Sequence, residues 1–369
     1  MRTKKTLKKK FPTFDKIVLI LNFFATLALL LSYLAPSTDP RDIAIIAILG
    51  FGYPILLIVN LIFVFYWLMR KKILLLISLV SILLGVFNIQ SFYGFHGKYI
   101  NNKKVADDAI RIMQYNVREF KGIDKYGESP IQNEVAKVVN NNQPDILNLE
   151  EFSKYKSTND SVTIQIKRNL KTNYNYFKEF KVVKNIHDST GNMIFSKYPI
   201  TNSGIIPVNK FLNARAIFVD VNYKGKSIRV YCIHLAAVKI KNQEKSRYLN
   251  GNVNIEQSTF IKNRLTTAFI TRSFQVSQIK RFIEKSPYPY ILTGDFNDTP
   301  NSFAVNEIGD GLKNAFIEKG SGYQTTYFSK FPLQIDYIFT SPEFDILNYQ
   351  ALDLKISDHK PLISDIKLN

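Results

Sequence analysis

Three long apolar runs crowd into the first hundred residues, and they constrain this chain more than any other feature. Residues 17–35 contain no charged side chain. A helix of that length, rising 1.5 Å per residue, reaches roughly across the ~30 Å hydrocarbon core of a bilayer. Residues 43–69 and 73–89 form a second and a third run, separated by Arg70-Lys71-Lys72. A cleaved signal peptide fits poorly, because the first run exceeds the usual ~7–15-residue core and two more runs follow. The expectation is a membrane anchor over residues 1–100, with three transmembrane helices at about 17–35, 43–69 and 73–89 and the lipid bilayer as partner.

Charge sets the expected orientation. Residues 1–10 carry six basic side chains, Arg2, Lys4, Lys5, Lys8, Lys9 and Lys10. They share one side with Arg70-Lys71-Lys72 if the first two runs form a hairpin, and the positive-inside rule makes that side cytoplasmic. The third run then carries residues 101–369 out of the cytoplasm. Over the whole chain, 49 basic residues against 30 acidic ones leave a net charge of +19. That excess suits nucleic acid, phospholipid head groups or phosphorylated small molecules without choosing among them. The single cysteine, Cys232, excludes an intrachain disulfide.

The remainder reads as one α/β domain. Short apolar strands are predicted at residues 110–117, 145–149, 192–196, 214–221, 227–234, 290–294 and 334–339, and helices at 131–141, 161–170 and 258–285. Tyr223-Lys224-Gly225-Lys226 predicts a hairpin turn, so the fourth and fifth strands run antiparallel. Helices interleaved with hairpin-joined strands predict mixed sheets, two of them packed together with helices outside.

Polar residues gather at the strand ends. Residues 291–300, Ile-Leu-Thr-Gly-Asp-Phe-Asn-Asp-Thr-Pro, place Asp295 and Asn297 two positions apart, so both reach one cleft while Phe296 turns to the core. Asn116, Glu150-Glu151, His234, Asp336 and Asp358-His359 occupy comparable strand ends or adjoining loops. A cleft at the edges of two sheets is built this way. His96 and His187 have no motif around them and read as loop residues. Arg215 reads as a solvated strand charge or a phosphate contact. Residues 239–281 hold nine Lys/Arg against Glu244 and Glu256, a solvated face or a substrate rim.

These segments together resemble the endonuclease/exonuclease/phosphatase superfamily over about residues 108–369, nearest its deoxyribonuclease and sphingomyelinase branches. The resemblance rests on Tyr115-Asn116-Val117, Leu149-Glu150-Glu151, residues 193–200 (Met-Ile-Phe-Ser-Lys-Tyr-Pro-Ile), Ile233-His234-Leu235, Gly294-Asp295-Phe296-Asn297, Ile335-Asp336-Tyr337-Ile338 and Ser357-Asp358-His359. It implies a four-layered α/β sandwich with two central mixed sheets. It implies a metal site at Glu151 with Asn116 and Asp358, suited to Mg²⁺ with Mn²⁺ as substitute. It implies that Asp295 orients or deprotonates water, Asn297 donates to phosphate, His359 stabilises the transition state and Asp336 partners His359. His234 matches the second histidine of the two branches named, where repair endonucleases carry tyrosine. Two departures stand out: Glu150 where the family usually has glutamine, and Gln334 where many relatives have arginine.

The sequence therefore reads as a membrane-anchored, metal-dependent phosphoesterase hydrolysing phosphodiester bonds, first of all a nuclease. A sphingomyelinase-like phospholipid phosphodiesterase and a small-molecule phosphatase are the alternatives. A catalytically silent domain that binds anionic ligands is the rival of a different class.

Overall fold

The computed structural model describes residues 11–99, 103–123, 129–154, 161–183, 188–209, 212, 214–238, 255–328 and 333–369. Residues 1–10, His187 and residues 239–254 lie outside the described residues.

Strand alternation explains the architecture. In Ile110–Asn116, Ile110 and Ile112 face a second sheet, whereas Met113 and Tyr115 face the helices Gln132–Asn142 and Ser161–Leu170. Buried residues of both sheets, among them Ile146, Ile194, Val219, Val230 and Ile291, share one core between them. On the far face of the second sheet, Tyr231, Ile233 and Leu292 pack on Val276, Ile279 and Ile283 of the helix Ile255–Ile283. The result is four layers, helix–sheet–sheet–helix.

Both sheets are mixed. The six-stranded sheet runs Lys313–Asn314, Asp336–Thr340, Tyr290–Asp295, Lys226–His234, Arg215–Tyr223 and Ile200–Ile205. The seven-stranded sheet centres on Leu362–Leu368, Ile110–Asn116 and Ile146–Lys154. Ile110–Asn116 is parallel to Ile146–Lys154, and Lys226–His234 is parallel to Tyr290–Asp295; the other pairs are antiparallel. The predicted hairpin pairs Tyr223 with Lys226, and Lys224 and Gly225 take the positive φ values (51° and 88°) that such a turn needs.

Three strands carry too little apolar signal for sequence reading. Tyr174–Val183 and Ile200–Ile205 are edge strands rich in polar residues. Leu362–Leu368 lies inside its sheet but contains Asp365, whose carboxylate takes two hydrogen bonds from Arg111 at 2.6 and 2.8 Å.

The N-terminal segment corrects the expectation of three transmembrane helices. Among the described residues only Thr13–Ser32 is one continuous helix long and apolar enough to cross a membrane. The second run divides into Ala44–Phe51 and Tyr53–Met69, bent by 66°. Pro54 sits in the first turn of the later piece, where its missing N–H and its ring bar continuation from the earlier one. The third run yields the helix Leu75–Leu84, about 15 Å at 1.5 Å per residue. It breaks at Gly85, against which the Tyr33 ring packs so closely that a Cβ would overlap it, and the four-residue helix Val86–Ile89 follows.

Polar groups fill the inside of this helical segment and apolar ones cover the outside. Asn22 takes a hydrogen bond from Trp67 Nε1 (2.9 Å) and donates to Ser78, while Ser78 and Thr26 both donate to Asn60. Phe24, Ile62 and Phe65 are about 60% exposed. The segment is also seated on the α/β domain. Asn301 donates to the carbonyl of Ser32 (3.0 Å), Ser273 donates to Asp39 (2.5 Å), and Phe51 packs on Phe269. Tyr93–Phe95 adds a strand beside Ser321–Tyr323.

Candidate active site

The same alternation that builds the inter-sheet core aims polar side chains into one corner of it. Ile110 and Ile112 are followed on their face by Gln114 and Asn116; Val230 and Cys232 by His234; Ile291 and Thr293 by Asp295. From the antiparallel strand Asp336–Thr340, Asp336 enters the same corner, its Cα paired with that of Asp295. The backbone crowds here: a Cβ on Gly294 would overlap the Ile233 carbonyl, so glycine is required before Asp295. His359 arrives from the loop before Leu362–Leu368 and packs against Tyr327, the rings tilted by 56° with centroids 4.9 Å apart.

The groups touch. His359 Nδ1 is 2.9 Å from Asp336 Oδ2, and its Nε2 lies 3.7 Å from Asp295 Oδ2. His234 Nε2 faces Asp295 Oδ2 at 3.7 Å and Glu151 Oε1 at 3.8 Å. Asn116 donates to Asp295 Oδ2 (3.0 Å), and the Asn297 backbone N–H donates to Asp295 Oδ1 (2.8 Å). Burial raises the Asp295 pKa to about 7 against the pull of His359, with Asp336 adding to the rise. Burial disfavours charge on His359, but Asp336 and Asp295 outweigh it and lift its pKa well above the ordinary value. His234 is pushed well below, first by burial and then by Arg215 and His359. One histidine is thus held charged and the other neutral.

Adjacent glutamates take opposite roles. A β-bulge between Leu149 and Phe152, with Glu151 at φ 51°, re-aims that side chain into the cleft. Glu150 points between the sheets, fully buried, receiving hydrogen bonds from Gln114 (2.9 Å) and the Cys232 thiol (3.3 Å). Among the described residues no donor bonds the Glu151 carboxylate, and burial raises its pKa although Arg215 pulls it down. An acid left without a donor beside Asn116 and Asp295 is a fitting seat for a hard cation. Asp295, Asp336 and His359 also converge, their ligand atoms within 4.8 Å of one another. The His359–Asp336 hydrogen bond and the charge on His359 make them an acid–base group first, since an imidazole binds metal when neutral.

Two expected residues are partly committed elsewhere. Asn297, at φ 53°, donates its side-chain amide to the Leu235 carbonyl (3.1 Å). Asp358 faces Arg118 Nε at 3.4 Å. Three participants carried no sequence signal. Gln114 donates to both Glu150 and Asp336, Tyr327 packs on His359, and Arg118 leads a turn of three successive left-handed residues (φ 49°, 52°, 60°). Arg215, weakly flagged, starts its strand directly opposite His234. His96 is exposed beside Tyr93–Phe95, a structural position.

A family model described as Endonuclease/Exonuclease/phosphatase family matches residues 113–359. The chain belongs to that family. Its members hydrolyse phosphoester bonds, generally with a divalent metal. A second model, Domain of unknown function (DUF8431), matches residues 15–92. No curated protein matches the chain. The endonuclease/exonuclease/phosphatase from Beutenbergia cavernae DSM 12333 is similar at 17% identity and TM-score 0.53, over 71% of this chain and 72% of that one. The human Nocturnin catalytic domain, solved with a bound sulfate anion, is similar at 18% identity and TM-score 0.51, over 72% of this chain and 96% of its own. These likenesses show the family's fold.

Proposed function

We propose that this chain is a membrane-anchored, metal-dependent phosphoesterase that hydrolyses phosphodiester bonds. The observation that carries the reading is the donor-free Glu151 carboxylate facing the same gap as Asp295, His234 and His359. Glu151, with Asn116 and Asp358 beside it, would hold Mg²⁺ or Mn²⁺. Such an ion supplies positive charge to phosphoryl oxygens. Asp295, fixed by Asn116 and the Asn297 N–H, orients the attacking water and accepts its proton. Charged His359, steadied by Asp336, donates to the oxygen on which charge develops. Neutral His234 places its Nε2 near both carboxylates, 3.8 Å from Glu151 and 3.7 Å from Asp295.

Nuclease activity is the first substrate reading, supported by the +19 charge. A membrane-lipid phosphodiester is the second. It is favoured by the helix Ile255–Ile283, which lines the cleft with Ala268 and Thr271 while Phe269 and Ser273 hold the N-terminal helical segment. The exposed apolar exterior of that segment supports anchoring. Its basic end, where Arg70 bridges Asp15, lies opposite the Ser32 end that meets the α/β domain, which favours an extracytoplasmic catalytic domain.

The test is the full-length chain in detergent micelles, offered plasmid DNA, RNA, sphingomyelin and inositol phosphates with Mg²⁺. Metal-dependent cleavage of at least one is expected. Cleavage of none, with anionic ligands still bound, would favour the silent binding domain.

A further inference from the structure

Beside Glu151 and His234 the site widens into a cleft of about 260 Å³ whose far wall belongs to the helix Ile255–Ile283. We propose that this cleft holds a second anionic group of the substrate, gripped by Arg215 and Arg264 next to the scissile phosphate. The proposal rests on the phosphoesterase reading and names the substrate class: a phosphoester that carries another phosphate or an equivalent anion close by.

The arginines carry the argument. Among the described residues, the buried arginines are each matched to an acid: Arg111 to Asp365, Arg229 to Asp220, Arg272 to Asp298. Arg215 and Arg264 are half-buried in the cleft wall, and among the described residues neither has a carboxylate within salt-bridge distance. Arg264 is held in place by the Phe260 ring, 4.9 Å beneath its guanidinium. Arg215 is held by its strand, opposite His234. Arg215 from the sheet and Arg264 from the helix thus line one cleft, and the guanidinium fork is the donor shape that phosphate and carboxylate oxygens fit.

The other lining residues offer little competition. Thr267 and Thr271 donate their hydroxyls back to Asn263 and Thr267 carbonyls (2.8 and 2.7 Å), so among the described residues the guanidinium groups are the charged anion donors of this wall. Leu212, Leu235 and Ala268 make the rest apolar. The one acid lining the cleft, Glu151, stands at the metal end. At about 260 Å³ the space sits just below the ~300–1,000 Å³ of small-ligand pockets, so it takes one compact charged group.

Two binding measurements on the full-length chain in detergent micelles, both in EDTA to exclude chelation, test this. One compares thymidine 3′,5′-bisphosphate with thymidine 5′-monophosphate. The other compares phosphatidylcholine vesicles carrying phosphatidylinositol 4-phosphate with vesicles carrying phosphatidylinositol. At least one pair should show tighter binding of the doubly phosphorylated member by about tenfold or more, the scale of one charged hydrogen bond. The pair that does so distinguishes a soluble substrate from a lipid head group. Arg264→Ala should abolish the preference, and Arg264→Lys should restore part of it. Equal binding within both pairs, or a preference that survives Arg264→Ala and Arg215→Ala, overturns the proposal. An Arg264-dependent preference in a chain that cleaves no ester sinks only the phosphoesterase reading. Cleavage without any preference sinks only the second-anion subsite.

Discussion

At the residue scale, Glu150 and Glu151 show how one position separates two kinds of acid. Glu151 faces the cleft without a donor, so Glu151→Gln should weaken Mg²⁺ binding and cut turnover by about 10² or more with the fold intact. Titration calorimetry and initial rates measure the two effects. Glu150 is buried, and burial together with Asp336 raises its pKa well above the ordinary range. Above the unfolded pKa the folded state therefore holds a proton that the unfolded state releases, and stability falls as pH rises from about 4.5. Glu150→Gln removes that titration. In thermal melts without metal, the melting temperature of the variant should decline less between pH 5 and pH 8 than that of the parent; parallel declines would show that Glu150 does not titrate differently on folding. Asp295→Asn should cost ~10²–10⁴ in turnover and His359→Ala ~10²–10³. Because both serve one transition state, the double variant should lose less than the product of the single losses.

At the element scale, the strand Tyr290–Asp295 carries both core and chemistry, and Gly294 is where they meet. With no room for a Cβ against the Ile233 carbonyl, Gly294→Ala should separate the two strands locally. Overpacking of this kind costs ~1–3 kcal/mol, readable in urea unfolding, and it should lower turnover as well because Asp295 is the next residue. An unchanged unfolding midpoint would refute the close approach. The cysteine one strand over supplies a control. Cys232 is fully buried against Glu150, and burial pushes its thiol pKa well above the usual value. A thiol reagent should label it only when the chain unfolds.

At the scale of the whole molecule, the N-terminal helices and the α/β domain share contacts that a cut at residue 100 would remove. Phe269 is 2% exposed, partly under Phe51, and Tyr93–Phe95 covers the Ser321–Tyr323 edge. Residues 101–369 alone should melt lower than the full chain and bind more of an apolar dye, since truncation bares this face. Phe269→Ala in the full chain should cost ~3–5 kcal/mol. For topology, an alkaline phosphatase reporter fused after Asn369 should be active, since it works only outside the cytoplasm; activity from a cytoplasmic reporter instead would reverse the orientation.

The sequence alone determined whatever local pattern and spacing encode. Short apolar runs at residues 110–117 and 290–294 placed the strands, Lys224-Gly225 placed a hairpin, and the strand-end polar residues marked Asn116, His234, Asp295 and Asp336 as one corner. Tertiary structure decided what depends on distant partners. Leu362–Leu368 hides as a strand because Asp365 is satisfied by tertiary partners, Arg111 and the Val105 N–H from more than two hundred residues away together with Asn348. Gln114 joins the site only because Glu150 and Asp336 arrive from separate sheets. The length of an apolar run likewise bounds a helix without forming one: Pro54 bends the second run, and the third is divided at Gly85, where Tyr33 packs. Hydropathy records the solvent a segment prefers, whereas a bend or a stop is set by backbone hydrogen bonds and by what packs against it.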